Sequence, residues 1–200
     1  MAKKTLDELE QLALKVFMNS KVSENNAVHV ARALVQAEAD GVPSHGLSRV
    51  PSYAEQAKIG MVDGHAIARL EQTAKAAIRV DANGGFAYPA ISLGLNRAKE
   101  LARETGIVGL AIGNSHHGGV GGHPVEAAAR EGLIAMGFLN APAAIAPWNG
   151  SRALYGTNPI AFACPRRTAD GSAWGDPILV DLALSKVARG KIMLAANKGE

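Results

Sequence analysis

The chain has 200 residues, of which 48% are apolar and 20% charged, and its formal net charge is +3. These values are typical of a globular protein with a sizeable core. No run of Lys or Arg resembles a nucleic-acid-binding stripe, no apolar run reaches the ~18 residues that span a membrane, and no secretory signal is visible. The single cysteine, Cys164, excludes an internal disulfide and a cysteine zinc site. We therefore expect a cytoplasmic protein that binds neither nucleic acid nor membrane.

The first part of the chain, residues 5–60, has the periodicity of helices. Thr5 and Glu8 form a capping box at the start of the first helix, because each side chain can accept a hydrogen bond from the other residue's amide. Ser23 begins a second helix, whose apolar residues recur at helical spacing. A third helix is expected to follow Pro43 and to end before Gly60, and Pro51 is expected either to kink it or to start it afresh.

From residue 67 onward, short strands alternate with helices, which predicts an α/β fold. The continuous apolar runs at 107–112 and 133–139 are typical of strands that are covered on both faces. We predict two domains, a helical segment of residues 1–64 and an α/β domain of residues 65–200. The predicted strands are 67–70, 76–80, 107–112, 133–139, 160–164 and 178–180, and the helices are 89–104, 124–131 and one that begins at Ser185.

The stretch GNSHHGGVGGHP, residues 113–124, connects a predicted strand to a predicted helix. Ligands bind outside the carboxyl ends of such strands, and glycines let the backbone approach them closely. Pro124 stands where a Rossmann fingerprint has its third glycine, so that fingerprint fails. Two other interpretations stay open: a tight connection with solvent-facing histidines, and a metal site built from His116, His117 and His123. No HExxH motif supports the metal site.

The stretch PSHGLSR, residues 43–49, combines a Ser-His pair with an arginine one turn later. Histidine is the usual general acid or base near neutral pH. Arginine can hold a carboxylate through two parallel hydrogen bonds. The pattern is therefore compatible with acid–base chemistry at His45 on a substrate whose carboxylate binds Arg49. The alternative is that Ser44 caps a helix and His45 lies in its first turn.

Two polar stretches follow later in the chain. Thr157 and Asn158 are turn formers, and Pro159 is expected to restrict Asn158 to an extended backbone. The same residues are also suited to a polar loop at a ligand. Asp181 comes just after a buried strand, where a carboxylate can orient a histidine. Alternatively, Asp181 caps the helix that begins near Ser185.

Four stretches, PSHGLSRV, NSHHGG, GTNPIAFACPR and DLALS, occur in the order found in one family. The chain resembles the type-2 malate/L-lactate dehydrogenases over nearly its whole length. That family includes ureidoglycolate and sulfolactate dehydrogenases and Δ1-piperideine-2-carboxylate reductase. The resemblance implies an α/β fold in which the helical segment joins a mixed-sheet, non-Rossmann nicotinamide-binding domain of the L-sulfolactate dehydrogenase type. Because family members are longer, we expect this chain to be truncated at its C-terminus and domain 65–200 to be incomplete.

The resemblance implies an NAD- or NADP-dependent oxidoreductase that forms a homodimer and binds a small carboxylate substrate. Such an enzyme transfers a hydride between nicotinamide and a 2-oxo or 2-hydroxy acid of the malate or lactate type. An alternative within the family is reduction of a cyclic imino acid such as Δ1-piperideine- or Δ1-pyrroline-2-carboxylate. Alternatives of other classes are a metal-dependent hydrolase that uses the clustered histidines and a non-catalytic, truncated domain.

The resemblance also implies roles for individual residues. His45 resembles the group that exchanges a proton with the substrate, and Ser44 and Asp181 resemble its relay partners. Arg49 resembles the anchor of the substrate carboxylate, and His117 a second catalytic residue. No metal ligand is implied. Thr157 is implied to contact the substrate. The residues implied to contact the cofactor are His117, Gly118, Gly119, Asn158, Pro159 and Leu182.

The chain departs from the family pattern at three positions next to His117. Gly118 replaces an aromatic residue, and His123 and Pro124 replace two tyrosines. We therefore expect the packing around the cofactor to differ locally from that of other members.

Overall fold

The structure is a computed structural model, and it describes residues 3–168, 170–171, 174–185 and 199. The chain divides into two compact units, Met1–Gly119 and Val120–Glu200. The boundary predicted at residue 64 therefore falls inside the first unit. The assignment of residues 65–200 to a cofactor-binding domain stays a prediction.

The first unit begins with two amphipathic helices, α1 (Leu6–Met18) and α2 (Glu24–Ala39). The capping box at α1 is confirmed: the Glu8 amide donates to Thr5 Oγ1 at 3.2 Å, and the Thr5 amide donates to Glu8 Oε2 at 2.9 Å. Ser23 caps α2 as predicted. The apolar faces of the helices meet in a core whose members include Phe17, Val30, Leu34, Tyr53 and Phe86.

The third helix is confirmed from Val50 onward, next to Pro51, where a kink or a fresh start is expected, whereas residues 43–49 are not α-helical, contrary to the prediction. Two short 3₁₀ turns, Pro43–His45 and Leu47–Arg49, precede helix α3 (Val50–Lys58). Gly46 separates the turns and packs directly on Glu38, so closely that a Cβ at Gly46 would lie 3.0 Å from the Glu38 backbone nitrogen. The Leu47 amide donates to Glu38 Oε2 at 3.0 Å. This packing fixes the PSHGLSR stretch in an irregular path instead of a helix.

A mixed three-stranded sheet completes the first unit. Strands β1 (Arg69–Ala74) and β2 (Ala77–Asp81) are antiparallel, and β2 is parallel to β3 (Gly109–Gly113). Helix α4 (Ala87–Thr105) covers one face of this sheet and packs with Ile78 and Val80 of β2 in a second core. The prediction that strand 107–112 is covered on both faces is wrong, because β3 is an edge strand covered by α4 on one face only.

The second unit contains helix α5 (Gly122–Ala129) and an antiparallel sheet in the order β4-β5-β6. Its strands are β4 (Ala135–Phe138), β5 (Ile160–Arg167) and β6 (Trp174–Leu182). Helix α5 packs on one face of the sheet, where Val125 and Ala129 meet the small side chains of Ala161 and Ala163. The mixture of helices and small sheets confirms the predicted α/β class. The helix predicted from Ser185 lies outside the described residues.

The other face of the second sheet is apolar and exposed. Its side chains form two cross-strand rows, Phe138–Ile160–Leu182 and Met136–Phe162–Val180, which we call the open apolar face. Phe138 is 72% exposed, Leu182 62% and Met136 59%. The prediction that strand 133–139 is covered on both faces is therefore wrong. Within the described part of the chain, no helix has the length and apolarity that a membrane span requires.

Candidate active site

His45 lies in the first 3₁₀ turn, and its Nδ1 is 3.0 Å from the Oγ of Ser44. Ser44 is buried, so this hydrogen bond is shielded from water on the serine side. Because Nδ1 is engaged by Ser44, an exchange of a proton between His45 and a ligand has to use Nε2. The structure thus brings together the Ser-His pair that the sequence predicted.

Arg49 lies in the second 3₁₀ turn, and its side chain contacts the first turn. Its Nε donates to the carbonyl oxygen of Ser44 at 2.6 Å. Among the described residues, no carboxylate forms an ion pair with Arg49. A hydrogen-bonded Nε fixes the direction of the guanidinium and leaves its two terminal nitrogens as a fork, which suits a carboxylate.

His117 lies beside His45, with the two ring centroids 5.5 Å apart and the rings inclined by 30°. Two groups meet its Nδ1: the hydroxyl of Tyr53 at 2.7 Å and the backbone N–H of Gly119 at 3.1 Å. The predicted active-site residues His45 and His117 are therefore neighbours in space, although 72 positions separate them in the sequence.

Most of the surroundings of His117 are protein, although one edge of the residue remains exposed. This loss of water lowers the pKa of His117 to about 4, and the positive charges of His45, Arg49 and His116 add to the effect. His117 is therefore neutral at physiological pH. Water at the exposed edge screens the neighbouring charges. The lowered pKa of His117 therefore changes the free energy of unfolding by less than the size of the shift alone would indicate.

His116 has different contacts from those of its neighbour. Its Nε2 is 2.7 Å from Oε1 of Gln56, and its ring meets the rings of Tyr53 and Phe86 edge-on. Its Nδ1 is buried with no hydrogen-bond partner among the described residues. Burial, followed by the charge of Arg49, lowers the pKa of His116. These contacts give His116 a packing role.

The described residues contain no group of three histidine, cysteine or acidic side chains that could hold a metal ion. His116 and His117 have separate sets of partners, as expected for adjacent residues whose side chains point in different directions. The geometry gives the metal interpretation no support in the part of the chain that is described.

Gly119 ends the first unit in a left-handed conformation, with φ of +74°. A Cβ at this position would lie 2.7 Å from Cε1 of Tyr88, so the backbone rests directly on that ring. The hydroxyl of Tyr88 is buried without a hydrogen-bond partner among the described residues. Burial raises the pKa of Tyr88 well above 10, and the neighbouring Tyr53 adds to the shift. Gly118, the adjacent predicted contact, is half-buried.

Asp181 lies in the second unit, near the end of β6. Its Oδ2 accepts a hydrogen bond of 2.8 Å from the amide of Gly122, the first residue of α5. A carboxylate at a helix N-terminus satisfies an unpaired amide and complements the helix dipole. Asp181 therefore caps α5, which begins two residues before the predicted Pro124; the helix predicted from Ser185 lies outside the described residues. Its predicted relay role toward His45 stays a prediction.

The GTNPI stretch forms a hydrogen-bonded loop in the second unit. Asn158 Oδ1 accepts from the Ala141 amide at 3.0 Å, and the φ of Asn158 is +31°. The extended backbone predicted at Asn158 is wrong, because its side chain holds a left-handed conformation that asparagine tolerates better than most residues. The backbone oxygens of Thr157 and Pro159 accept from Leu184 and Leu139.

Leu182 is the last residue of β6, and it pairs with Ile160, the last residue of the GTNPI stretch. Thr157, Asn158, Pro159 and Leu182 therefore lie near one another. Their contacts with a ligand stay predictions.

The comparisons with known proteins agree with this architecture. Residues 5–200 match the family model described as malate/L-lactate dehydrogenase. The chain belongs to this family. The malate/L-lactate dehydrogenase resemblance inferred from the four motifs is thereby confirmed, as is the fold class.

Three members of the malate/L-lactate dehydrogenase family are particularly informative. A (2R)-3-sulfolactate dehydrogenase (NADP(+)) from Chromohalobacter salexigens is 56% identical over 196 residues, which are 98% of this chain and 57% of that protein. A Δ1-pyrroline-2-carboxylate/Δ1-piperideine-2-carboxylate reductase from Pseudomonas putida is 39% identical over 96% of this chain and 55% of its own length. The crystal structure of Δ1-piperideine-2-carboxylate reductase from Pseudomonas syringae pv. tomato superposes with a TM-score of 0.91 at 35% identity, over 100% of this chain and 58% of that one. The chain thus spans somewhat more than half the length of these relatives.

Sequence reasoning missed Tyr53, Gln56 and Tyr88, which surround the two adjacent histidines. Tyr53 and Gln56 lie on α3 and Tyr88 on α4, where their spacing resembles that of ordinary core or surface positions. The only available signal was that two of the chain's three tyrosines lie on helices rich in alanine. That signal does not indicate which histidine they contact.

Proposed function

We propose that this protein is an NADP-dependent oxidoreductase that transfers a hydride between nicotinamide and a small 2-oxo or 2-hydroxy acid. One observation carries the proposal: a histidine with its Nδ1 held by a buried serine lies next to an arginine without a carboxylate partner in the described chain. The 56% identical sulfolactate dehydrogenase supports both NADP and a hydroxy acid. The substrate class is therefore a 2-hydroxy acid, and (2R)-3-sulfolactate is the first member to test.

The described residues fit the reactive end of such a cofactor. The neutral ring of His117 suits a carboxamide or carbonyl oxygen, and it lies 5.5 Å from the acid–base candidate His45. When bound, the nicotinamide supplies the hydride. We assign to its binding His117, Gly118, Gly119, Asn158, Pro159 and Leu182, as the family resemblance implies.

The protein's own residues orient the substrate and move the proton. Arg49 holds the substrate carboxylate through its terminal nitrogens, which fixes the direction of the neighbouring carbonyl carbon. His45 gives a proton from Nε2 to the carbonyl oxygen as that oxygen gains negative charge, and takes it back in the reverse reaction. Ser44 holds the opposite nitrogen of the ring in place. We further propose that Thr157 contacts the substrate and that Asp181 is a relay partner of His45.

A second candidate function is reduction of a cyclic imino acid. The 39% identical reductase and the superposed crystal structure act on Δ1-piperideine-2-carboxylate by name. The same Arg49 would hold the carboxylate next to the imine carbon. His45 would then manage the proton of the ring nitrogen.

The test is a matrix of substrates and cofactors with the purified protein. Sulfopyruvate, oxaloacetate, pyruvate and Δ1-piperideine-2-carboxylate are each combined with NADPH and NADH, and the absorbance of the reduced nicotinamide is followed. We expect the fastest oxidation with NADPH and a linear 2-oxo acid. A higher kcat/KM with the cyclic imine would favour the second candidate. Absence of oxidation with every pair would contradict both.

We also infer that the protein forms a homodimer, as the family resemblance implies, and that it acts in the cytoplasm. Light scattering coupled to size-exclusion chromatography measures the mass in solution directly. A mass equal to one chain at micromolar concentration would contradict the dimer.

A further inference from the structure

We propose that Tyr53 is a positioning residue that fixes His117 as a neutral imidazole with its proton on Nε2, presented as a donor to an oxygen of the ligand. The identity of that ligand, a carboxamide, carbonyl or carboxylate oxygen, rests on the proposed function. The protonation state of the ring nitrogens rests on the protein alone.

The hydrogen bonds at His117 determine which nitrogen carries the proton. The Gly119 backbone N–H lies 3.1 Å from Nδ1, and a backbone N–H can only donate. Nδ1 must therefore present its lone pair, which places the single proton of a neutral ring on Nε2. The Tyr53 hydroxyl, 2.7 Å from the same nitrogen, must then donate as well. Burial raises the pKa of Tyr53, so its proton is retained.

Tyr53 is held rigidly enough to direct this hydrogen bond. It is 3% exposed, and its ring lies edge-on to His116 with centroids 4.7 Å apart and also contacts Phe86. A buried aromatic ring between two other rings has no freedom to move its hydroxyl away. The hydroxyl therefore fixes the orientation of the His117 ring as well as its tautomer.

The groups around His117 also oppose a second proton. The charges that act on its ring belong to His45, Arg49 and His116, and all three disfavour an imidazolium. The two imidazoles of the site consequently differ in function. His45 exchanges a proton through Nε2, whereas His117 keeps its Nε2 proton and uses it to bind an oxygen acceptor. A ligand whose nearest group is a hydrogen-bond donor would be rejected at this position.

Nitrogen NMR of the histidine side chains tests the assignment without any substrate. In the unaltered protein at neutral pH, we expect His117 to show an unprotonated Nδ1 and a protonated Nε2. In Tyr53→Phe, the Nδ1 resonance should move toward that of a nitrogen with one hydrogen bond fewer, and the Nδ1–H tautomer should gain population. The matched control is Tyr155→Phe, which removes the hydroxyl of an exposed tyrosine in the second unit. This variant should leave both resonances in place.

A protonated Nδ1 in the unaltered protein would overturn the proposal, as would identical His117 spectra in the unaltered protein and Tyr53→Phe. Neither result depends on whether the protein turns over any substrate. Failure of the proposed function, seen as absence of cofactor oxidation, is therefore distinguishable from failure of this assignment.

Ligand binding gives a second test through two substitutions of His117. The amide nitrogen of glutamine can occupy the position of Nε2, whereas that of asparagine corresponds to Nδ1. We expect His117→Gln to keep KM values for cofactor and acid within about fivefold of the original, the effect of one neutral hydrogen bond. His117→Asn should raise one of them further. Equal KM values in the two variants would contradict a donor at Nε2.

Discussion

The polar residues of the candidate site have different partners in the two units of the chain. In the first unit, side chains contact one another: Ser44 meets His45, and Tyr53 meets His117. In the second unit, Asp181 and Asn158 bind backbone amides and hold a helix end and a loop in place. Acid–base chemistry requires groups that contact each other and the ligand. The proposed proton donor therefore lies in the first unit, whereas Asp181 and Asn158 have a structural role in the second unit beside the roles proposed for them.

The largest test of this difference compares His45 of the first unit with Asp181 of the second. His45→Ala should lower kcat by about 10²- to 10⁴-fold, because general acid–base catalysis contributes that much. His65→Ala, which alters an exposed histidine of the same unit, should leave kcat unchanged. Steady-state kinetics measures both. Asp181→Asn should also lower kcat if Asp181 is the proposed relay partner of His45, and an unaltered kcat would leave Asp181 with its capping role alone.

A smaller effect is expected at the arginine. Arg49→Ala should raise KM for the acid about 10- to 100-fold, because a charge-assisted hydrogen bond contributes roughly 1.5–3 kcal/mol. Arg49→Lys keeps the charge without the planar fork and should raise KM less. Arg69→Ala, at an exposed position of β1, is the control. An unaltered KM in Arg49→Ala would remove this residue from substrate binding.

The packing of Gly46 gives a prediction about stability. Gly46→Ala should lower the free energy of unfolding by about 1–3 kcal/mol, because its Cβ would press into the Glu38 backbone and carboxylate. Gly113→Ala is the matched control, since a Cβ there meets no atom within 4 Å. Denaturant titration measures the change. Equal midpoints for the two variants would show that the 3₁₀ turns can move to relieve the contact.

The smallest expected effect is on the pH dependence of stability. The pKa of His117 is about 4 in the folded protein and near 6.5 when unfolded, so the unfolded chain binds more protons between these values. Its contribution to the free energy of unfolding is complete above pH 6.5 and is lost as the pH falls toward 4. The lowered pKa of His116 acts in the same direction. Urea midpoints at pH 7.5, 6.5 and 5.5 should fall less steeply in His117→Gln. An identical slope in that variant would contradict the lowered pKa.

Local features could be predicted from the sequence because neighbouring residues determine them. The Thr5–Glu8 capping box needs only residues three positions apart, and the antiparallel β1–β2 pair needs only a short turn. The Ser44–His45 contact joins adjacent residues in the same way. The order of four motifs was sufficient to identify the family.

The remaining features depend on partners that are far away in the sequence. Tyr53 contacts His117 across 64 positions, and Gln56 contacts His116 across 60. The irregular path of residues 43–49 depends on the packing of Gly46 on Glu38, whereas the start of the helix next to Pro51 could be expected from the proline itself. The left-handed Asn158 overrides the usual effect of a following proline, because its side chain finds the amide of Ala141.

The open apolar face has a consequence for the chain in solution. Aromatic and aliphatic side chains are exposed to water across this sheet, among them Phe138, Met136 and Leu182. Contiguous surface of this kind attracts hydrophobic dyes and other copies of the same chain. We expect the 200-residue chain to enhance the fluorescence of such a dye even when it is fully folded. Dye binding will therefore be an unreliable sign of misfolding for this protein. Hydrophobic association weakens on cooling, so chilled, dilute samples should aggregate less than warm, concentrated ones.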